Sequence, residues 1–190
     1  LKNKEVEQIA RNLIRKEEIV DITEYLELIK EKHETKKSKE YNYYSENRYN
    51  GRKGIIPDVI VCHITKDYYK AINTLYDETK EVSSHFIINV DGEVKQIVSL
   101  NDSAWANGTN SRPESDLYYK FATSKIVKNR NVNANLYTFS IEHISFDGTL
   151  TKKQYISTIK VFKKIIDFVK KEYNLDFIID REHIIGHNEV

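Results

Sequence analysis

The chain has 190 residues, of which 39% are hydrophobic and 31% are charged, so it can form one ordinary domain with an accessory element. Its 30 basic and 29 acidic side chains nearly cancel, and this balance argues against a nucleic-acid-binding surface. The single cysteine, Cys62, excludes an internal disulfide, and no apolar run reaches the length of a membrane-spanning helix.

The first part of the chain is predicted to be helical. Apolar residues recur at helical spacing over residues 3–17, and a second amphipathic segment begins at Asp21, with Glu24 at the capping-box position. Residues 1–36 are therefore predicted to form a helical pair, and residues 37–54 a connector. The favoured interpretation is an ordinary helical appendage packed on the main domain, and the alternative is a partner-binding or regulatory element.

The main domain is predicted to begin at residue 55 and to alternate strands with helices. The β-branched run Val59–Ile64 predicts a strand, and the apolar spacing that follows Asp67 predicts a helix. The segment "SSHFIINVDGEVKQIVSL" is typical of a hairpin, because Asp91-Gly92 favours a type I′ turn between two apolar-rich strands.

The second half of this domain continues the alternation. A long polar stretch over residues 101–135 contains the single tryptophan, and a loop of this length in a compact domain is usually functional. "LYTFSIEHISF" predicts a strand, Thr151 with Gln154 predicts a capping box at the start of a long helix, and "DFIIDREHIIGH" predicts a last strand. The chain is therefore predicted to be an α/β protein, with a mixed central β-sheet flanked by helices and an N-terminal helical pair.

Two histidines near strand ends are candidate metal ligands. His63 closes the strand "VIVCHIT", and His187 follows Gly186 at the end of the last strand. Neighbouring strands can bring two imidazoles to one zinc ion, although a catalytic zinc needs a third protein ligand and an open position for water. Cys62 must point to the face opposite His63 and is interpreted as a small buried hydrophobe. The alternative is structural, because an isolated strand histidine is more often structural than a ligand.

A second zinc arrangement would pair His183 with His187, which stand at i and i+4 as in helical zinc sites. The residues between them end in Ile185 and Gly186 and disfavour a helix, and no glutamate follows His183 directly. The helical arrangement is therefore the less favoured interpretation.

Glu142 lies among the apolar residues of a predicted strand, where an unpaired carboxylate is costly. One interpretation is a salt bridge to a neighbouring lysine or arginine. The other is a general base beside a metal-bound water, with its pKa adjusted by its surroundings. His143 points to the other face of that strand and is not a partner of Glu142.

Six motifs in order carry a family resemblance: "VIVCHIT", "SSHFIINVDGEVKQIV", "DSAWANG", "YTFSIEH", "LTKKQY" and "IIGHNEV". Together they resemble the zinc-dependent N-acetylmuramoyl-L-alanine amidases of the type-2 amidase and peptidoglycan-recognition superfamily, with the closest likeness to endolysins and autolysins. The resemblance covers residues 47–190 and leaves out the helical N-terminal part.

The resemblance implies a site. It implies Zn²⁺ as cofactor, His63 and His187 as zinc ligands, and Glu142 as catalytic base. A third ligand, a cysteine or aspartate, is expected beyond Val190, so the domain of residues 55–190 is expected to lack its C-terminal end. The resemblance also implies substrate-binding roles, and these fall on Trp105, Asn107 and Ser84.

The expected function is hydrolysis of the amide between N-acetylmuramic acid and L-alanine in peptidoglycan. Such an enzyme is expected to act at the bacterial cell wall, either secreted or released during phage lysis. The alternative is a domain that binds peptidoglycan without cleaving it, because non-catalytic members of the superfamily typically lack a zinc ligand.

Overall fold

The computed structural model describes residues 43–108 and 119–190. The helical pair predicted for residues 1–36 lies outside these ranges. The strands are β1 (Arg48–Tyr49), β2 (Val59–Thr65), β3 (Phe86–Ile88), β4 (Val94–Gln96), β5 (Ser103–Ala104), β6 (Thr138–Ile144) and β7 (Ile184–Gly186). The α-helices are α1 (Tyr68–Tyr76), α2 (Lys125–Asn129) and α3 (Lys152–Tyr173), with short 3₁₀ turns at Glu78–Lys80, Ala134–Leu136 and His187–Glu189.

The central sheet has five strands in the order β4-β3-β6-β2-β7. The neighbours β3 and β6, β6 and β2, and β2 and β7 are parallel, and β4 pairs with β3 in the antiparallel direction. This arrangement confirms the predicted mixed sheet flanked by helices. The short strands β1 and β5 pair with each other outside this sheet.

One face of the sheet packs against α3. The helix begins at the predicted capping box, in which Thr151 Oγ1 accepts a hydrogen bond from the Gln154 backbone N–H and Gln154 Oε1 accepts one from the Thr151 backbone N–H, both at 3.0 Å. Phe162 and Ile165 of α3 belong to the apolar core on this face, and Cys62 packs against that core. Burial raises the pKa of the Cys62 thiol to about 12. Cys62 therefore packs on the apolar face that its place in the strand predicts, but it is half-buried rather than fully buried.

The opposite face of the sheet carries two apolar clusters. Ile72 and Leu75 of α1 pack in the cluster that contains Ile87 of β3, and Val61 of β2 packs with Tyr137 in the second. The polar side chains of His63 on β2 and Glu142 on β6 lie between these clusters. Across the sheet, Ile87 of β3 stands beside Glu142, and Glu142 stands beside His63. The fold therefore leaves a polar position in the middle of this face.

The hairpin of β3 and β4 is present, but its predicted type I′ turn is wrong. The backbone N–H of Asn89 donates to the Glu93 carbonyl and that of Gly92 donates to the Asn89 carbonyl, both at 2.9 Å, so three residues form the loop. A type I′ turn needs positive φ at both central residues, whereas here Gly92 alone has it, at 86°.

The last strand is shorter than predicted and includes only Ile184–Gly186. Before it, Asp180 Oδ1 accepts hydrogen bonds from the backbone N–H groups of Glu182 and His183, each at 2.9 Å. Such local side-chain bonds favour a turn over an extended strand. The prediction of a strand across the whole segment is therefore wrong.

The described end of the connector packs against the main domain. Arg52 is 5% exposed and donates hydrogen bonds to the backbone carbonyls of Leu100, Leu136 and Thr138 at 3.1–3.2 Å. A guanidinium that satisfies three buried carbonyls ties this segment to the sheet. The predicted domain boundary at residue 55 stays a prediction. Within the described ranges, no helix combines the length and apolar character needed to cross a membrane.

Candidate active site

His63 and Glu142 are neighbours across two parallel strands. They are direct partners in the register of β2 and β6, so their side chains leave the same face of the sheet. His63 Nδ1 and Glu142 Oε1 are 3.7 Å apart. Both strands have neighbours on each side, so the pair sits on a rigid part of the fold.

His187 reaches this pair from the other side of β2. Gly186 of β7 is the register partner of Cys62, and His187 is the first residue of the 3₁₀ turn that follows. The ring centroids of His63 and His187 are 4.3 Å apart, with 31° between the ring planes. The structure thus brings together the two histidines and the glutamate that the sequence singles out.

The turn that carries His187 is held by Glu189. The Glu189 carboxylate accepts a hydrogen bond from the Gly186 backbone N–H at 2.7 Å and pairs with Arg181 Nη2 at 2.7 Å. A Cβ atom at position 186 would lie 2.5 Å from Asn188 Oδ1, but this atom ends an exposed side chain that can move aside, so the contact alone does not require glycine here. The position of His187 therefore depends on a small network next to it.

An open cavity of about 710 Å³ adjoins the three side chains. Its walls combine the end of β2, one side of α1 along its length and the segment around Trp105. The lining includes His63, Glu142, His187, Trp105, Ser83 and Lys66.

Glu142 has no cationic partner in the described part of the chain. Its side chain is 16% exposed, and its one ion-pair contact there is His63. Burial raises the pKa of Glu142 to about 7. The salt bridge to a lysine or arginine, one of the two interpretations from the sequence, is not seen.

Both histidines are neutral at neutral pH. Burial, and then the neighbouring His187, lower the pKa of His63 to about 3. Burial also lowers the pKa of His187. A neutral imidazole keeps one lone pair, which is the form that binds a metal.

The donors at this site fit a zinc ion in part. Two neutral imidazoles beside a cavity and an unpaired carboxylate are the chemistry of a catalytic zinc site, which leaves one position open for water. Within residues 43–108 and 119–190, no group of three or more His, Cys, Asp or Glu side chains could hold a metal ion. The third ligand predicted beyond Val190 lies outside these residues and stays a prediction.

The remaining described histidines have structural surroundings. His85 Nδ1 accepts a hydrogen bond from the Ser140 backbone N–H at 3.0 Å. His143 lies on the opposite face, 2.9 Å from Thr158 Oγ1 of α3. His183 Nδ1 contacts Asp180 Oδ1 at 2.7 Å, and no helix joins it to His187. The less favoured helical arrangement of His183 and His187 is thus absent from this segment.

The three predicted substrate-binding residues differ in position. Trp105 lines the cavity, and its Nε1 is a buried donor without a partner among the described residues. Ser84 is fully buried, and its hydroxyl donates to the Ser140 carbonyl at 2.9 Å. Asn107 is 1% exposed and, like Ser84, is not among the lining residues. Of the three, Trp105 alone is placed to meet a ligand in this cavity.

A row of polar side chains lies on one face of β6, and only its last member, Glu142, is identified from the sequence. Thr138, Ser140 and Glu142 stand at every second position of β6, so all three side chains share one face of the sheet. The Asn107 side chain donates to both hydroxyls at 2.9 Å. The signal was present, because the polar residues alternate with Phe139 and Ile141 as in a strand with two different faces.

Comparison with known proteins assigns the family. The family model described as N-acetylmuramoyl-L-alanine amidase matches residues 51–190, which is most of the chain. No curated protein matches the chain.

Three solved structures are similar to this fold. A selenomethionine derivative of AmpD is 19% identical with a TM-score of 0.53, over 76% of this chain and 79% of that one. The N-acetylmuramoyl-L-alanine amidase LysC from Clostridium intestinale URNW is 20% identical with a TM-score of 0.47, over 82% and 85%. The amidase AmiD from E. coli, solved with its substrate anhydro-N-acetylmuramic acid-L-Ala-D-gamma-Glu-L-Lys, is 18% identical with a TM-score of 0.46, over 78% and 51%. By its family match, the chain belongs to the N-acetylmuramoyl-L-alanine amidase family.

Proposed function

We propose that this chain hydrolyses the amide bond between N-acetylmuramic acid and the L-alanine of the stem peptide in peptidoglycan. The observation that carries the proposal is the unpaired Glu142 carboxylate, which lies 3.7 Å from His63 Nδ1 at the cavity. A buried carboxylate with no cationic partner is costly to the fold, and a catalytic role accounts for its presence. Membership of the amidase family supports the choice of bond.

His63 and His187 are the proposed zinc ligands. Their rings are 4.3 Å apart between centroids, and both are neutral at neutral pH. When bound, zinc lowers the pKa of a coordinated water and polarises the carbonyl that is attacked.

Glu142 is the proposed general base and then general acid. It accepts one proton from the attacking water and, as the amide C–N bond breaks, delivers that proton to the alanine nitrogen. Burial raises the pKa of Glu142 to about 7 in the metal-free chain, and a catalytic acid or base works best when its pKa is near the working pH. The net reaction adds one water and releases a carboxylate and a protonated amine.

Trp105 is the proposed substrate contact. It stands between the main cavity and a second cavity of about 380 Å³, which is also lined by Tyr49, Glu81 and Asn133. Its indole Nε1–H is buried without a partner among the described residues, so the half-buried ring, and not this donor, is the surface that a sugar or a peptide can pack against. Because its proposed substrate is peptidoglycan, we propose that the protein acts at the bacterial cell wall, either after secretion or after release during phage lysis.

The test compares wild type with Glu142→Gln on purified peptidoglycan, with zinc supplied. An amidase releases new L-alanine amino termini without new reducing sugars, and both are measured on the same samples. Loss of the base is expected to lower amine release by about 10²- to 10⁴-fold. The matched control is Glu172→Gln, which changes a glutamate of α3 that pairs with Lys171, away from the cavity.

Two results would contradict the proposal. New reducing ends without new amino termini would show that the chain cleaves the glycan. Near-normal amine release by folded, zinc-loaded Glu142→Gln would remove Glu142 from the mechanism.

A peptidoglycan-binding module without catalysis is the second candidate. It is favoured by the two-histidine donor set, since the described residues hold no group of three candidate ligands. Sedimentation with peptidoglycan separates the candidates. Binding by the wild-type chain with no amine release at saturating zinc would support the binding module.

A further inference from the structure

Asn107 is held in place by almost every polar group it has. Its backbone N–H donates to Asn135 Oδ1 at 2.6 Å, and its carbonyl accepts from the Tyr119 hydroxyl at 2.7 Å. The side-chain nitrogen donates to Thr138 Oγ1 and Ser140 Oγ, both at 2.9 Å. The side chain is therefore fixed in the interior and does not line the cavity.

The orientation of the Asn107 amide follows from its neighbours. The Thr138 hydroxyl donates its own hydrogen to the Ala134 carbonyl at 2.7 Å, so toward Asn107 it offers lone pairs only. The group facing Thr138 must then be the amide nitrogen, because an amide oxygen there would meet no donor. The Asn107 oxygen is thereby directed to the other side.

The Asn107 amide oxygen and one ring nitrogen of His63 can form a hydrogen bond that each of them otherwise lacks. Asn107 Oδ1 and His63 Nε2 are both fully buried, and neither has a partner of ordinary hydrogen-bond geometry among the described residues. The Asn107 side chain is nevertheless close enough to the His63 ring for a hydrogen bond between them to raise the pKa of His63, against the larger lowering by burial. Leaving both atoms unpaired would cost about 1–3 kcal/mol each. A proton on Nε2 satisfies both.

We propose that Asn107 is a positioning residue whose amide oxygen accepts a hydrogen bond from His63 Nε2–H and thereby fixes Nδ1 as the metal-binding nitrogen. A neutral imidazole carries one ring proton, so a proton held on Nε2 leaves the lone pair on Nδ1. Nδ1 is the nitrogen that lies 3.7 Å from Glu142 Oε1, and the side chains of both residues line the cavity. The metal part of this inference rests on the proposed function, whereas the tautomer does not.

The series of hydrogen bonds that sets the tautomer has one donor-to-acceptor direction, from His63 to the Ala134 carbonyl. The Ala134 carbonyl accepts from Thr138, and Thr138 accepts from Asn107. In the proposed arrangement, Asn107 Oδ1 accepts from His63 Nε2–H. Once one group is assigned as donor or acceptor, the assignment of the next group follows. The predicted substrate-binding role of Asn107 is thereby replaced by an indirect one, exerted through a zinc ligand.

The deciding measurement is the tautomer of His63 in the metal-free wild-type chain. Nitrogen NMR of labelled protein distinguishes the two ring nitrogens, and the His63 signals are assigned by their loss in His63→Ala. We expect the proton on Nε2. A proton on Nδ1 would overturn the inference, whether or not any variant folds.

Zinc titration of Asn107→Leu provides the second test. Removal of the acceptor is expected to give a mixture of His63 tautomers and a zinc affinity about 10- to 100-fold weaker. The matched control is Thr158→Val, which removes the hydroxyl beside His143 on the opposite face and is expected to leave zinc affinity unchanged. Unchanged affinity in folded Asn107→Leu would overturn the inference.

A further variant covers the case in which Asn107→Leu fails to fold. Thr138→Val keeps Asn107 but removes one hydroxyl that orients its amide, and it is expected to show the same mixture of tautomers to a smaller extent. A wild-type chain with the proton on Nε2 but no zinc binding would support the positioning role and contradict the zinc chemistry. The two proposals therefore fail separately.

Discussion

Glu142 lies in surroundings that favour its neutral form. Its side chain is 16% exposed and its nearest ionisable partner is His63, which is itself neutral at neutral pH. Burial raises its pKa from 4.5 to about 7. Between these two pH values the carboxyl is protonated in the folded chain and ionised in the unfolded chain. The carboxylate therefore lowers stability above pH 4.5, and the full cost is reached near pH 7.

Glu142→Gln is expected to stabilise the metal-free chain at neutral and alkaline pH. The variant removes a titration between pH 4.5 and about 7, and the gain in unfolding free energy at the upper end is on the order of 3 kcal/mol. Urea unfolding of chelator-treated wild type and variant measures it. If Glu142 were instead a salt-bridge partner, the variant would be less stable than wild type throughout this range.

His63→Ala is expected to abolish most zinc binding by the chain. It removes one of the two imidazoles that the described residues offer and leaves a single ligand. Calorimetric titration with zinc measures the loss, and His183→Ala is the matched control because His183 is bonded to Asp180 away from His187. Unchanged zinc binding by folded His63→Ala would contradict the assignment.

The residues of the site were predictable to different degrees. His63, His187 and Glu142 could be predicted, because strand ends and an acid among apolar residues are local signals. The role of Asn107 could not, since it depends on Thr138 and on a bond across the sheet that no local pattern records.

The turn after β7 shows how an element can carry a site residue. His187–Glu189 is a single 3₁₀ turn, too short to be stable alone, and the Glu189 carboxylate closes it onto Gly186 and Arg181. Its sequence predicts the position of His187 at a strand end but not the shortness of β7. That shortness follows from the Asp180 turn, whose side-chain bonds compete with the strand.

Glu189→Ala is expected to weaken zinc binding by about 10- to 100-fold while the chain stays folded, because outer contacts orient a metal ligand. The change frees the Gly186 N–H and the Arg181 guanidinium, and the turn that carries His187 loosens. Zinc titration is the measurement, with exposed Glu182→Ala as the matched control. Equal zinc affinities in the two variants would show that the turn holds His187 without Glu189.

At the scale of the whole molecule, buried neutral histidines link folding to pH. Burial lowers the pKa of His63 and His85 to about 3 and that of His143 to about 4. The unfolded chain takes up these protons near pH 6.5, whereas the folded chain does so only near their lowered pKa values. Their contribution to stability is therefore present above pH 6.5 and is lost as the pH falls.

The metal-free chain is expected to lose stability steeply in mild acid. The three histidines add protons to the unfolded state, and Glu142 offsets one of them between pH 4.5 and about 7. A net uptake of roughly two protons corresponds to a slope on the order of 3 kcal/mol per pH unit. Urea unfolding at a series of pH values measures it, and His143→Gln is expected to reduce the slope by about one proton. A flat profile would contradict the buried, neutral state of these rings.

The back-to-back placement of Cys62 and His63 on β2 has a practical consequence. The chain has one cysteine, which is half-buried against the core that α3 covers, and burial raises the pKa of its thiol to about 12, so the nucleophilic thiolate is almost absent at neutral pH. A cysteine placed at an exposed position such as Lys153 would then react much faster with maleimide reagents than Cys62 does. A fluorophore or spin label can be attached there without removing Cys62, and binding to intact cell walls can be followed directly.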